Sequence, residues 1–290
     1  MIVRGTKPCC STKDAQKFGS FYRKSDHQRI QRYQCKTCGS SFSSATNSPL
    51  KWQKKRHLNH AVLSVLACNI TLASVSRCFK LNPKTVAKKL TFLAHAVREQ
   101  MAKERANYAH IDTIQFDELQ TIEHTKCKPV SVAVAVSKKE RKILGIEVSQ
   151  MPATGHLAAI SRKKYGKRAD NRLVGLNALF EQLAKELLPK INIESDQCPT
   201  YGNVVKKHFP EANFTQYKGR KGCVAGQGEM KKVGFDPLFS INHTFAMMRA
   251  NISRLNRRTW NTTKKLSALV DHLSIYAWRH NMMLTPECLA

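Results

Sequence analysis

The chain has 290 residues, 42% of them hydrophobic, enough for real cores in one large domain or two to three smaller ones. Its 49 Lys and Arg stand against 20 Asp and Glu, a formal net charge of +29. That excess is too large for a solubility device and points to a polyanionic partner, nucleic acid before acidic membrane. No apolar run approaches the roughly 18 residues of a membrane span, and residues 1–7 lack an apolar signal-peptide core. The expected setting is therefore a reducing compartment with no membrane role, where the ten Cys serve as metal ligands or small buried hydrophobes, not as disulfides.

The first 43 residues read as a small zinc-ribbon-like module that binds DNA. Cys35-Lys36-Thr37-Cys38-Gly39 has the two-residue gap that lets both thiolates reach one tetrahedral ion. The upstream half is irregular, because Cys9 and Cys10 are adjacent rather than spaced. With Cys35 and Cys38 they make a candidate structural Zn²⁺ site, and His27 is an alternative ligand. Between the pairs, Phe18 to Tyr33 alternates basic and aromatic residues, as in a hairpin that lies on nucleic acid. The plainer reading is a solvated hairpin with a small aromatic core.

Residues 44–50 are a linker, and 51–95 read as a three-helix, helix-turn-helix DNA-binding domain. Leu58, Val62, Val65 and Leu66 form one apolar stripe; Leu72, Val75 and Phe79 form the next. Asn82 is set to cap a third helix with Pro83 at its first position. That helix turns Val86, Leu90 and Leu93 inward and leaves Lys84, Thr85, Lys88 and Lys89 for the major groove. An ordinary bundle with solvated lysines is the plainer alternative. Residues 96–107 read as a helical connector.

From 108 the pattern changes to strands: Tyr108–Phe116, Val130–Val136 and Ile143–Val148 as an antiparallel meander. A basic loop at 161–172 and an amphipathic helix at 173–188 follow, then strands Ile191–Ser195 and Asn213–Tyr217, a Gly- and Lys-rich loop at 218–234, and helices at 239–258 and 264–282. This is the strand order of the ribonuclease-H fold, in which the first and fourth strands are neighbours. Those two strands deliver Asp117 and Asp196. Two carboxylates held side by side on a sheet can share divalent ions and act on phosphodiesters, although Asp is also common in solvated strand-end turns. Glu118, next along the strand, is expected to face the other way. The fold class is thus α/β and multidomain, with the ribonuclease-H-like part spanning 108–285. Cys68, Cys78, Cys127, Cys198 and Cys223 are expected in the core, the last two flanking the cleft.

Four stretches together resemble the DDE transposases of small bacterial insertion sequences, of the family-one type. They are Gln31 to Phe42 with the helix-turn-helix after it, Phe116-Asp117-Glu118, Glu194 to Tyr201, and Met248 to Thr259 followed by Thr263-Lys264-Lys265. The resemblance covers nearly the whole chain. It implies an enzyme, a polynucleotidyl transferase, that binds the terminal inverted repeats of its element and cuts and joins DNA with two Mg²⁺ ions. It further implies double-stranded DNA partners (element ends and target), a homodimer or larger complex, and work at the bacterial nucleoid in the cytoplasm. Asp117 and Asp196 take the places of the first two acids. The family's third acid, a Glu just before the Arg-rich helix, is here replaced by Asn242, so Glu229 or, less well, Asp236 must complete the triad, or the copy is decayed. Arg249, Arg254, Arg257 and Arg258 are read as one helical cluster that clamps DNA phosphates. The competing readings are a non-catalytic DNA-binding regulator and a nuclease without strand transfer.

Overall fold

The computed structural model describes residues 9–284 apart from 11, 25, 47, 49, 52, 219–235 and 256–260. The chain divides into two compact units, residues 1–62 and 63–290. The described residues form eight α-helices, a mixed five-stranded sheet and a separate three-stranded sheet.

The first unit holds the small antiparallel sheet of β1 (Ala15–Arg23), β2 (Gln28–Cys35) and β3 (Ser41–Ser43), in that order. One face of it gathers Cys10, Cys35 and Phe42 in a small core, with Tyr33 stacked on Phe42 at 5.6 Å. The division between the units falls within α1 (Asn59–Leu66).

In the second unit, α2 (Leu72–Cys78) and α3 (Pro83–Arg105) are joined by a short turn. The Asn82 side chain accepts a hydrogen bond from Lys84 N–H at 2.9 Å and Pro83 opens the helix, as the sequence predicts. α3 then continues without a break through residues 96–105, so the expected connector is part of the same helix. Its far half is fastened to α8 (Leu266–Met283) by Arg98, which donates to Asp271 at 3.0 Å and Ser274 at 3.2 Å.

The large sheet comprises β4 (Thr113–Ile122), β5 (Pro129–Ser137), β6 (Ile143–Gln150), β7 (Asn192–Asp196) and β8 (Asn213–Tyr217), in the order β6-β5-β4-β7-β8. β4, β5 and β6 pair antiparallel; β7 joins β4 in parallel, and β8 joins β7 in parallel. β5 is buried along nearly its whole length, which is why its sequence is an almost unbroken Val/Ala run. On one side, α5 (Arg172–Leu183) and α6 (Tyr201–His208) close over Phe116, Ile193 and Leu144. Gly145 lets α5 come close, because a Cβ at that position would press on the end of the Leu179 side chain and force it to move. Elsewhere α8 meets β6, where the Asn281 amide exchanges two hydrogen bonds with the Ile143 backbone.

Three expectations are corrected. The basic run at 161–172 is not a loop. Residues 157–165 form α4 (Leu157–Tyr165), with Arg162, Lys163 and Lys164 in its last turn, where cations suit the helix dipole, and Gly166 at φ 75° ends it. β4 begins later and runs longer than expected: residues 108–110 are a 3-10 turn. Asp117 therefore lies mid-strand rather than at a strand end. Cys68 and Cys78 are exposed, in the turn after α1 and at the end of α2, whereas Cys127 is buried and Cys198 half-buried. Cys223 lies outside the described residues.

Candidate carboxylate site

The parallel register of β4 and β7 pairs Thr113 with Asn192, Ile114 with Ile193 and Gln115 with Glu194. Two residues further along each strand stand Asp117 and Asp196. The period of two keeps them on the face of Gln115 and Glu194. That inner pair is a buried scaffold. Gln115 donates to Glu194 at 2.8 Å and to the Pro237 carbonyl at 2.6 Å, and it accepts from Ile241 N–H at 3.1 Å. It thereby ties both strands to the start of α7 (Phe239–Asn251). Lys138 neutralises Glu194 at 2.6 Å. Glu194 is thus an anchored structural acid, one step below the pair that faces the site.

Asp117 is held by one oxygen. Its Oδ1 accepts from Glu118 N–H at 2.7 Å and from the Tyr201 hydroxyl at 3.3 Å. Burial first, and the Asp196 charge second, push its carboxyl up to about 6. Asp196 is the last residue of β7, and burial pushes its carboxyl above the usual range as well. Its Oδ1 is buried with no hydrogen-bond partner. Two carboxylates raised by burial, one with an unsatisfied buried oxygen, form a site that a divalent cation would complete, and hard oxygen donors suit Mg²⁺.

Glu118 is less remote than strand alternation alone suggests. The Tyr201 hydroxyl that touches Asp117 lies equally 3.3 Å from Glu118 Oε2, and Ser131 donates to the other Glu118 oxygen at 2.5 Å. Tyr201 is buried against Phe116, with ring centroids 4.7 Å apart. Asp236 is engaged elsewhere: it accepts from Leu238 N–H at 3.0 Å and from the Asn242 amide at 2.9 Å, at the entrance to α7. Asn242 is on the exposed side of that helix. Glu229 lies outside the described residues.

No family model and no curated protein matches this sequence. Among solved structures, one match is a crystal structure of a pre-cleavage Mos1 transpososome. It shares 8% identity over 77% of this chain and 76% of that chain, with a TM-score of 0.21. A likeness that small carries no weight for function.

The four cysteines are brought together. Cys9, Cys10, Cys35 and Cys38 have their sulfurs within 4.8 Å of one another, with Cys10 and Cys38 at 3.5 Å. Thiolates about 2.3 Å from a zinc ion at tetrahedral corners lie just under about 4 Å apart, so the cluster can hold Zn²⁺ with Cys9 and Cys10 supplying the irregular half. Hydrogen bonds from Ser40 bring the Cys38 thiol down to about 6, while its hydrogen bond to Cys38 pushes the Cys9 thiol up to about 12, so the crowded sulfurs split their protons between them. Among the described residues this is the one group of three or more His, Cys, Asp or Glu side chains that converge for a metal. His27 is not part of it; its ring bonds the Tyr22 hydroxyl at 2.8 Å.

The cationic candidates divide. Lys84 and Lys88 are exposed and Thr85 half-buried on the first turns of α3. Lys89 is corrected: it is 2% exposed, and burial lowers its pKa. The reason is legible, since Val86, Lys89, Leu90 and Leu93 follow the i, i+3, i+4, i+7 spacing of one inward stripe. The Arg cluster is corrected too, because α7 stops at Asn251, whose carbonyl accepts from Asn69 N–H at 2.7 Å, and a 3-10 turn follows. Arg249 stays in the last turn of α7, but Arg254 leaves the helix and donates to His272 at 3.3 Å. Arg257 and Arg258 lie outside the described residues. Sequence reasoning passed over Gln115, Glu194 and Tyr201. The first two carried a signal, Gln-x-Asp and Glu-x-Asp at strand spacing; Tyr201 carried none beyond its place after Asp196.

Proposed function

We propose that the chain is a metal-dependent DNA strand transferase of the DDE transposase type, with Asp117 and Asp196 as the two acids that hold its catalytic metal. One observation carries the reading: two half-buried carboxylates, each two residues beyond the Gln115–Glu194 pair of adjacent parallel strands, one with a buried oxygen that lacks any hydrogen-bond partner. The strand order of the large sheet, three antiparallel strands and then two parallel ones, is that of the ribonuclease-H fold, and the net charge of +29 suits a DNA partner. When bound, two Mg²⁺ ions supply activation of a water or a 3′-hydroxyl and stabilise charge on the leaving oxygen. The protein's own part is positional. Gln115, Glu194 and Lys138 lock β4, β7 and the start of α7 together, so the acids cannot drift apart. Tyr201 and Glu118 N–H hold one Asp117 oxygen and leave the other to face the ion. The exposed Lys84 and Lys88 at the start of α3 would bind phosphates of the DNA ends, within a helix-turn-helix domain at 51–95 that follows a zinc module at 1–43 and precedes the catalytic domain at 108–285.

A joining assay with a marked donor DNA tests the reaction class. A transferase gives joined product and a simple nuclease gives cut donor only. A non-catalytic regulator, the reading that Asn242 favours, binds the ends and does neither. Glu229→Gln and Asn242→Glu assign the third acid. Loss of cleavage in Glu229→Gln places it there, whereas cleavage gained only in Asn242→Glu marks a decayed enzyme.

A further inference from the structure

Residues 1–62 carry thirteen Lys and Arg against two acids, Asp14 and Asp26, and Arg23 pairs with Asp26 through two hydrogen bonds. On this strongly basic unit the edge strand β1 exposes its aromatic side chains. Phe18 is 45% exposed and Phe21 43%. Three residues apart, they would face opposite sides of a regular strand. They do not here. The pairing with β2 steps from Lys17–Tyr33 to Ser20–Gln31, three residues on β1 against two on β2, so β1 contains a bulge, with Gly19 at φ 72°. The extra residue restores the phase. Phe21 pairs with Ile30, and the Arg32 guanidinium, two residues further along the same face of β2, lies 5.4 Å from the Phe18 ring centroid. The other face is the one occupied by Tyr33, Phe42 and the cysteine cluster.

The bulge sets two exposed rings on one face, about two strand steps or about 7 Å apart, beside the buried Ile30 and with the Arg32 guanidinium over one of them. Burying them in a core would gain hydrophobic stabilisation; a solvated hairpin has no use for them. Aromatic rings exposed on a sheet with cations interleaved are how sheets hold unpaired bases. The rings stack on base faces and the cations track the phosphates. A duplex hides its base faces and offers such rings nothing. The geometry points to this face as a binding surface for single-stranded DNA, engaged through base stacking on Phe18 and Phe21. It stands on residues 1–62 alone and does not depend on the carboxylate site.

Fluorescence anisotropy of the full-length protein tests it with three labelled probes: an oligothymidine, an abasic strand of the same length, and a duplex. The abasic strand keeps the phosphates and removes the faces. The expected result is at least about tenfold tighter binding of oligothymidine than of the abasic strand, since base stacking on the rings adds to the phosphate contacts that both strands share. Phe18→Leu with Phe21→Leu should bring oligothymidine down to the abasic level and leave abasic binding unchanged. Equal binding of the two strands by the native protein overturns the inference, whatever the variant does. So does a double variant that binds oligothymidine as the native protein does. Duplex binding with no preference between the two strands sinks this inference alone; no binding to any of the three also removes the DNA-binding part of the proposed function.

Discussion

Asp117 is where, on the proposed function, a single side chain bears on both chemistry and stability. Its carboxyl is pushed up to about 6 in the folded chain, above its unfolded value near about 3.9. The folded state thus binds the proton more tightly, and the associated stability is full below about pH 4 and lost as pH rises through about 6. Two expectations follow for the metal-free protein. Asp117→Asn removes a buried charge, so its melting temperature near pH 8 should equal or exceed that of the native chain, while cleavage falls to background. A large drop in melting temperature would mean that the carboxylate is a structural anchor, like Glu194, and not a ligand. Tyr201→Phe keeps the ring on Phe116 but deletes the hydroxyl that steadies Asp117. Loss of such an outer-shell contact should weaken Mn²⁺ binding by roughly tenfold, read by the paramagnetic signal of free Mn²⁺, with the melting temperature nearly unchanged. Unaltered Mn²⁺ affinity would show that the hydroxyl serves Glu118 only.

At the scale of elements, α3 and α8 are joined by ionic and hydrogen-bonded contacts as well as by packing. His272 is 1% exposed; its Nε2–H donates to the Leu66 carbonyl at 2.5 Å and its Nδ1 accepts from Arg254. Burial depresses its pKa to about 4. Its contribution is therefore complete above the unfolded histidine value near about 6.5 and lost as pH falls through about 4. Replacing His272 with Ala should cost about 1–3 kcal/mol by leaving buried partners unsatisfied, and a stability–pH profile unchanged between pH 6 and 4 would contradict the assignment. On the exposed side, Lys84→Ala with Lys88→Ala should reduce the salt slope of duplex binding by about two, while Lys89→Met should leave it unaltered. Here the sequence was informative in a graded way. Alternation and apolar runs placed four strands of the large sheet within two residues but set β4 five to six residues too early, and Asn82-Pro83 marked the start of α3. Lys89 was misjudged because charge was weighed above helical phase. The end of α7 was missed because the arginine spacing was weighed above the weaker helix formers Asn251 and Ser253; the helix stops at Asn251, whose carbonyl accepts from Asn69 N–H instead.

For the molecule as a whole, the proposed function divides the labour of a basic chain between the cysteine cluster and the carboxylate pair. Soft sulfurs suit a structural Zn²⁺; hard oxygens suit a catalytic Mg²⁺. Chelation or Cys35→Ser should release zinc and loosen the first unit, seen as faster proteolysis within residues 1–62. Full protection without zinc would remove the metal from that account. That the strands carrying Asp117 and Asp196 are neighbours was legible from strand order. What encloses them was not, because Gln115, Lys138 and Tyr201 are common residues that become distinctive only once β4, β7 and α6 meet. The most direct test of the carboxylate pair is Mn²⁺-dependent cleavage of DNA by the native protein, Asp117→Asn and Asp196→Asn, each matched for duplex binding. The account predicts cutting by the native chain alone, with binding retained in all three. Undiminished cutting by either variant would contradict it.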